Sequence, residues 1–363
     1  MKTARPHIAV LGAGMAGLSC ARHLQDAGCR VTVYDKARGV GGRMSTRRGE
    51  GWQCDHGAQY FTVRDDRFRD EVARWEAAGV AGLWEPRLAV FDAGAGAGAG
   101  AAPSRAAPDG KARFVGIPRM SAPAAWLAAT LCVHTGHTVV DLRHDRAGWR
   151  LHTAEHSVLD ERFDAVVLAL PAPQAATLLQ PLLPLTAQQT GAHAMLPCWT
   201  LMVRYDAGAR YAPDFDAAFV NHGPLGWIAR DRSKPDRPGF DVWVLQASAT
   251  WSAAHLDDDS DSVTAALLAA FAALGAPPPA AVTAHRWRYA RAQQPAFNQA
   301  VWLPAVRVGL CGDWLAGGRV EDAWLSGRAL AAQVIVSMAS GGDRPYSAEI
   351  NASNASTSSG LTK

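Results

Sequence analysis

One segment near the start of the chain leaves little freedom in what the first domain can be. His7 to Leu11 reads as a short buried strand cut off by Gly12, and Gly12-Ala13-Gly14-Met15-Ala16-Gly17 follows in GxGxxG spacing. Leu18 to Ala27 then reads as a helix stopped at Gly28, and Val31 to Tyr34 as a second strand closed by Asp35. The spacing has mechanical reasons. Gly12 permits a tight turn, Gly14 lets the backbone approach a diphosphate, and Gly17 lets helix and strand pack closely. The helix start presents unpaired N–H groups to the phosphates. Asp35, 18 residues beyond Gly17, is placed to accept hydrogen bonds from ribose hydroxyls. Gly94 to Ala99 repeats the pattern inside an Ala/Gly run with no amphipathic helix behind it, and reads as a flexible loop inserted in a hairpin.

Composition narrows the remainder. With 363 residues, 48% hydrophobic and 19% charged, the chain can bury a large core, and its length suggests two domains. A net charge of +3 is too balanced for a dedicated nucleic-acid binder. The cysteines (Cys20, Cys29, Cys54, Cys132, Cys198, Cys311) contain no CxxC pair, which argues against zinc or a disulfide scaffold and makes a cytoplasmic location the expectation. Lys2 and Arg5 ahead of Ile8 to Ala21 imitate a signal peptide, but the spaced glycines and the strand that follows favour the folded reading. Without a run of 18 apolar residues, no membrane partner is expected. The small polar residues over 340–363 read as a disordered tail.

Asp35 leads into Lys36-Ala37-Arg38-Gly39-Val40-Gly41-Gly42-Arg43-Met44. This resembles the second glycine motif of the FAD-dependent oxidoreductases that include amine oxidases and phytoene desaturases. The resemblance implies that Lys36, Gly42, Arg43 and Met44 line a non-covalent FAD, with Arg43 neutralising its diphosphate. Toward the other end, Cys311-Gly312-Asp313 follows the apparent strand Val306 to Leu310, and Gly317 to Gly327 runs into an apolar helix. Within the same class, Asp313, Val320 and Ala323 are implied as FAD contacts. Val139, on a strand read at His137 to Leu142, is implied beside the adenine. The expected fold is α/β. Residues 1–80, 119–175 and 297–338 would build a discontinuous Rossmann-type FAD domain, which also takes in a strand read at Ala165 to Leu170. A sheet-rich α+β substrate domain would come from 81–118 and 176–296, its strands read at Thr200 to Tyr205, Leu225 to Ala229 and Asp241 to Ala247.

Asp55-His56-Gly57-Ala58-Gln59-Tyr60-Phe61-Thr62 carries more specific information, together with Gly116 to Ser121, Arg230 to Pro235, His285 to Ala290 and Cys311 to Trp314. These motifs, in this order over about residues 7 to 335, resemble the bacterial renalase family. The resemblance implies an FAD oxidase of the 1,2- and 1,6-dihydro isomers of NAD(P), with hydride passing to flavin N5 and electrons to O2 or another small acceptor. Gly57, Ala58 and Gln59 become cofactor contacts. Tyr60, Trp227, Gln246, Trp287 and Tyr289 become the substrate pocket, with Gln246 standing where a histidine is expected. Restoring aromaticity to a dihydropyridine needs no side-chain base, and the chain offers rings in place of a nucleophile–base set. Arg47, Arg48, Arg64 and Arg67 read first as a solvated basic face and second as phosphate ligands. His56 reads equally as structural or as a site hydrogen-bonding group, and Lys234 as a structural ion pair. The competing reading is a flavin amine oxidase; a desaturase, or a flavin-bearing protein without turnover, fits less well.

Overall fold

The computed structural model describes residues 5–92, 103–107, 109–206, 211–294, 296 and 298–340. Two sheets organise them. The first has six strands in the order Val301–Leu303, Val308–Leu310, Ala165–Leu168, His7–Leu11, Arg30–Asp35 and Cys132–Thr135, parallel except at the first edge. The central strands are nearly unbroken apolar runs because both faces are covered. Ile8, Val10, Ala165 and Val167 face the helices Met15–Asp26 and Val320–Ala339. Ala9, Leu11, Val166 and Leu168 face Trp149, Leu151 and Phe163 of a three-stranded antiparallel layer, Val139–Asp145, Gly148–Thr153 and Ser157–Val158, and its flank. The two long helices touch closely. A Cβ on Gly327 would fall 2.1 Å from the Ala16 carbonyl oxygen.

The second sheet has seven strands in the order Ala281–Ala292, Met195–Tyr205, Asp241–Ala247, Leu225–Arg230, Ala217–Val220, Leu88–Phe91 and Ser104–Arg105. Pairing is antiparallel except between Ala217–Val220 and Leu88–Phe91. Period-two alternation gives the sheet two faces. Trp243 and Leu245 pack with Val263, Leu267 and Phe271 of the helix Ser260–Ala273, whose N-cap Asp259 accepts from the amides of Asp261 and Ser262. Val242 and Val244 point the other way, into the core shared with the first sheet, and Gln246 continues that inner face. No described helix is long and apolar enough to cross a membrane.

Several boundaries differ from the sequence reading. The first helix starts at Met15, directly after Gly14, so Gly17 lies inside its first turns. The strand expected from Val306 begins at Val308, because Arg307 adopts a left-handed φ of 56° and holds the chain in a turn. The strand read at Ala165 to Leu170 stops at Leu168, just short of the Pro171 that caps the next helix. The strand read from Thr200 starts at Met195, and that read from His137 runs Val139–Asp145. Residues 176–191, expected in the substrate domain, form the end of the helix Ala172–Leu179, a turn and the helix Pro184–Gly191. Ala175, Leu179 and Ala187 of these helices pack into the core of the first sheet. The hairpin Leu88–Phe91 and Ser104–Arg105 is present, while residues 93–102 of its loop and 341–363 of the tail fall outside the described residues.

The glycine turn yields a stability test. A Cβ at Gly17 would lie 1.9 Å from the Gly12 carbonyl oxygen, whereas Gly28 has a φ of +90° and open space. Gly17→Ala should lower unfolding free energy by about 2 kcal/mol or more through overpacking. Gly28→Ala should cost about 1 kcal/mol through backbone conformation alone. Urea midpoints check both, and an equal loss at the two positions would refute the packing role of Gly17.

Candidate active site

The site begins with two glycine turns laid against each other. Gly12 N–H donates to the Tyr34 carbonyl at 2.8 Å, and Gly41 N–H donates to the Ala13 carbonyl at 2.8 Å. The Asp35 carboxylate, half-buried, accepts from Ala13 N–H at 2.6 Å and Ala37 N–H at 2.7 Å. The following helix has Gly14 as N-cap, with no side-chain cap bond and no acidic residue in its first turn. A Cβ on Gly14 would meet nothing nearer than Gly42 Cα at 4.0 Å. An uncapped helix start beside open space and a fixed carboxylate is the arrangement a dinucleotide diphosphate requires. Lys36 is exposed and Met44 buried. Gly136 N–H donates to the Ala37 carbonyl and His137 N–H to the Asp35 carbonyl, which brings the half-buried Val139 next to this end of the cradle.

The chain then closes on itself over 270 residues. Arg43 donates through both terminal nitrogens to Asp313, at 3.0 and 2.5 Å, and to the Ala290 carbonyl at 3.1 Å. The resemblance gave the two residues separate contacts; the structure joins them as one bidentate pair, the planar guanidinium fork matching both carboxylate oxygens. Asp313 also organises the approach to the last helix, its carbonyl accepting from Gly317 and Gly318 N–H. At that helix start, Asp322 accepts from Arg319 N–H and buried Glu321 accepts from Arg64 and Asp65 N–H. Val320 and Ala323 are half-buried there.

Between these parts runs the segment 55–60. Asp55, fully buried at the end of the strand Trp52–Asp55, accepts from Thr46 Oγ1 (2.6 Å), Met120 N–H (2.9 Å) and Arg237 (2.6 Å), with Lys234 Nζ at 3.3 Å. Lys234 also reaches Asp231 at 3.1 Å and Gln59 Oε1 at 3.3 Å. Two carboxylates and two cations thus neutralise one another away from water. Burial opposes ionisation of Asp55, but Lys234 and Arg237 outweigh it and hold its carboxyl at about 2. Asp231 moves upward through burial and the facing Asp55. Lys234 is therefore an ion-pair residue. No sequence signal marked Arg237, which lies two residues beyond the motif read at Arg230 to Pro235.

Beyond Asp55, three backbone groups of the loop are tied to other elements. Trp287 Nε1 donates to the His56 carbonyl (3.0 Å), Gln246 Nε2 to the Gly57 carbonyl (2.7 Å), and Ala58 N–H to the Arg43 carbonyl (2.9 Å). Four of the five anticipated pocket residues meet here. His285, Thr200, Gln246, Trp227 and Phe219 are register neighbours across five strands of the second sheet, so they form one transverse row on one face. Tyr60 lies 5.8 Å from Trp227, ring to ring, and Trp287 stacks on His56 at 5.1 Å. Tyr289 lies two residues beyond Trp287, where the pairing of the strand slips register, half-buried and without a described ring partner. His285 and Thr200 complete the row and were not anticipated as site residues; strand alternation alone does not select them.

Both imidazoles are held neutral. Burial, with His285 and Arg47 beside it, brings His56 down to about 3, and burial and Arg47 bring His285 to about 4. Of the four arginines read as a basic face, Arg48, Arg64 and Arg67 are exposed, and Arg47 is half-buried against His285.

The relatives of the chain agree with this architecture. Residues 10–75 match an NAD(P)-binding Rossmann-like domain, and residues 87–335, more than half the chain, match the flavin containing amine oxidoreductases. The chain belongs to the flavin containing amine oxidoreductase family. Its cofactor is FAD, and the cradle described above fits such a group. An L-amino-acid oxidase of Siganus canaliculatus is 50% identical over 65 residues, which is 17% of this chain and 12% of that protein. Polyamine oxidase 2 of Arabidopsis thaliana is 42% identical over 61 residues, again 17% and 12%. The matched stretches thus span only a small part of those relatives. Cyclohexylamine oxidase from Brevibacterium oxydans IH-35A shares the fold at a TM-score of 0.68 and 15% identity, over 92% of this chain and 100% of that one. A putrescine oxidase bound to putrescine gives 0.66 at 13% identity, over 92% and 99%.

Two stability tests follow from the charges. Asp55→Asn leaves two buried cations facing one carboxylate and should cost about 3–5 kcal/mol, whereas Asp145→Asn on the surface should cost far less, both read from chemical denaturation. The histidines set a pH window. An unfolded imidazole takes a proton near pH 6.5 while His285 stays neutral to about 4, so falling pH protonates the unfolded chain first. Stability is full above about 6.5 and drops progressively toward 4. His285→Phe should flatten the fall in melting temperature between pH 7 and 5; an unchanged slope would exclude His285 as its source.

Proposed function

We propose that this flavoenzyme oxidises the 1,2- and 1,6-dihydro isomers of NAD(P) to NAD(P)+, with O2 or another small molecule as final electron acceptor. The observation that supports this reading is the transverse row His285–Thr200–Gln246–Trp227, with Trp287 beside His285 on the same strand and Tyr60 against Trp227, which is rich in rings and held uncharged. FAD, when bound, supplies a two-electron acceptor for hydride at N5. The protein's part is to hold a flat ring and keep water away. Trp227, Trp287 and Tyr60 provide apolar ring faces. Gln246 has its amide N–H engaged by the Gly57 carbonyl, which fixes its side chain and leaves its amide oxygen as a neutral acceptor. Oxidation of a dihydropyridine regains aromaticity and liberates no proton from carbon, so no general base is called for.

In the same reading Gly12 to Gly17 and Asp35 hold the ADP half of FAD, with Val139 by the adenine. The segments Gly42 to Met44, Gly57 to Gln59, and Val320 with Ala323 hold the flavin half, and the Arg43–Asp313 pair joins them as a unit.

The second reading is a flavin amine oxidase, favoured by the family match and by the named activities of the relatives. Against it stands the placement of the lysines. An amine oxidase of the kind that holds a water with lysine needs an ammonium facing the flavin. Here Lys36 and Lys111 are exposed and Lys234 is sealed between Asp55 and Asp231. Anaerobic mixing separates the readings. Borohydride-treated NAD+, a mixture of dihydro isomers, should bleach the flavin within seconds, with 1,4-NADH far slower. Faster bleaching by amines or L-amino acids would overturn the proposal. Gly14→Ala tests the cradle: it should leave the melting temperature of the apoprotein close to wild type while lowering FAD retention on gel filtration. Full retention would remove Gly14 from the cofactor site.

A further inference from the structure

Arg47 is a half-buried cation that faces the second sheet without a described counter-ion. Asp55, Asp231, Lys234 and Arg237 balance one another, and Arg43 is matched by Asp313. Arg47, on the strand Thr46–Gly49, has no carboxylate partner among the described residues. Its Nε is buried without a hydrogen bond, and the one described partner of its guanidinium is His285 Nδ1, 3.3 Å from a terminal nitrogen. A guanidinium has five N–H donors, so most of this fork is unused. Because a guanidinium only donates, His285 Nδ1 accepts, and the ring proton resides on Nε2 as a further donor. A half-buried cation without a counter-ion costs free energy unless an anion completes it. His285 is also the end of the transverse row. Four strands at about 4.8 Å spacing put it roughly 14 Å from Trp227, enough for a ring at one end and its charged group at the other.

We propose that Arg47, backed by His285, is a subsite for a phosphate group carried by the substrate. The inference rests on the dihydronicotinamide reading for the identity of that substrate, and it adds that the substrate must be phosphorylated, as a mononucleotide or dinucleotide is and a free nucleoside is not. Neutral imidazoles strengthen the assignment: they let Arg47 keep its full charge for the ligand without adding repulsion of their own.

The test uses the FAD-loaded enzyme. Reduced nicotinamide mononucleotide isomers and the corresponding ribosides, which lack the phosphate, are compared in wild type and Arg47→Gln. Wild type should favour the mononucleotide in kcat/KM, and the substitution should collapse that preference about 10- to 100-fold, mainly through KM, as expected for loss of hydrogen bonds to a charged group. Arg47→Lys, which keeps the charge without the fork, should fall between. An unchanged preference overturns the subsite while leaving the substrate class standing. Equal slowing of flavin reduction by both compounds, with an altered flavin spectrum, also overturns it, because Arg47 would then serve the flavin. If neither compound bleaches wild type, the substrate reading fails, and the subsite is judged by titrating inorganic pyrophosphate against the flavin absorbance. A saturable change lost in Arg47→Gln supports the anion site, and no Arg47-dependent change overturns it.

Discussion

The buried group of Asp55, Asp231, Lys234 and Arg237 is the constraint on which the rest of the site depends. Asp55 ends a strand of the hairpin beside the nucleotide domain, and the other three residues lie in the turn after Leu225–Arg230 of the second sheet. Ions so far from water are tolerated only when each finds its partner and its remaining lone pairs are satisfied. Here both conditions hold at Asp55, whose oxygens also take Thr46 and Met120. The result is a fixed point between the two sheets, from which the 56–60 loop departs with little freedom. Its His56 and Gly57 carbonyls and Ala58 N–H are then bound to three separate elements. The proposed pocket for a flat ring would need walls that hold their spacing, and this loop would supply one of them.

The opposite wall is the inner face of the seven-stranded sheet, and its rigidity has a different origin. Alternation assigns Val242, Val244 and Gln246 to one side and Trp243 and Leu245 to the other. The outer side is locked by the helix Ser260–Ala273, so the inner row cannot slip register without exposing Trp243. One wall is therefore fixed by electrostatics and the other by packing. The Arg43–Asp313 pair closes the end between them, and brings the last helix to the same place as the first glycine turn.

What could be read from the chain follows from how local each signal is. The first strand, the glycine turn and Asp35 lie within thirty residues, and their geometry is dictated by φ, close approach and helix-start donors, all visible in residue type. Strand alternation was equally visible in Asp241–Ala247. Pairing across the chain was not. Nothing in the sequence says that Arg43 meets Asp313 or that Arg237 joins Asp55, because complementary charges are common and only the fold selects among them. His285 and Thr200 went unnoticed for the same reason: their row exists only once four strands are set in register. The turn at Arg307 and the inward packing of residues 176–191 depend on tertiary contacts that override local preference.

Under the proposed function, charge would also separate the dihydronicotinamide substrate from an amine. A protonated amine at the His285 end would approach the uncompensated guanidinium of Arg47. At about 6 Å and an effective dielectric constant of about 20, that repulsion is about 3 kcal/mol, enough to weaken binding by roughly two orders of magnitude. The two histidines would normally soften the effect by shedding or gaining protons, but both are held neutral across the physiological range. Nor does a carboxylate in the row offset it, since His285, Thr200, Gln246 and Trp227 carry none. A neutral dihydropyridine ring with an anionic tail, the substrate proposed above, would meet the reverse field, its ring along uncharged side chains and its tail against the cation. On the proposed reading, the sign of the Arg47 charge would select which electron donor reaches the flavin, while the surrounding fold remains that of the family.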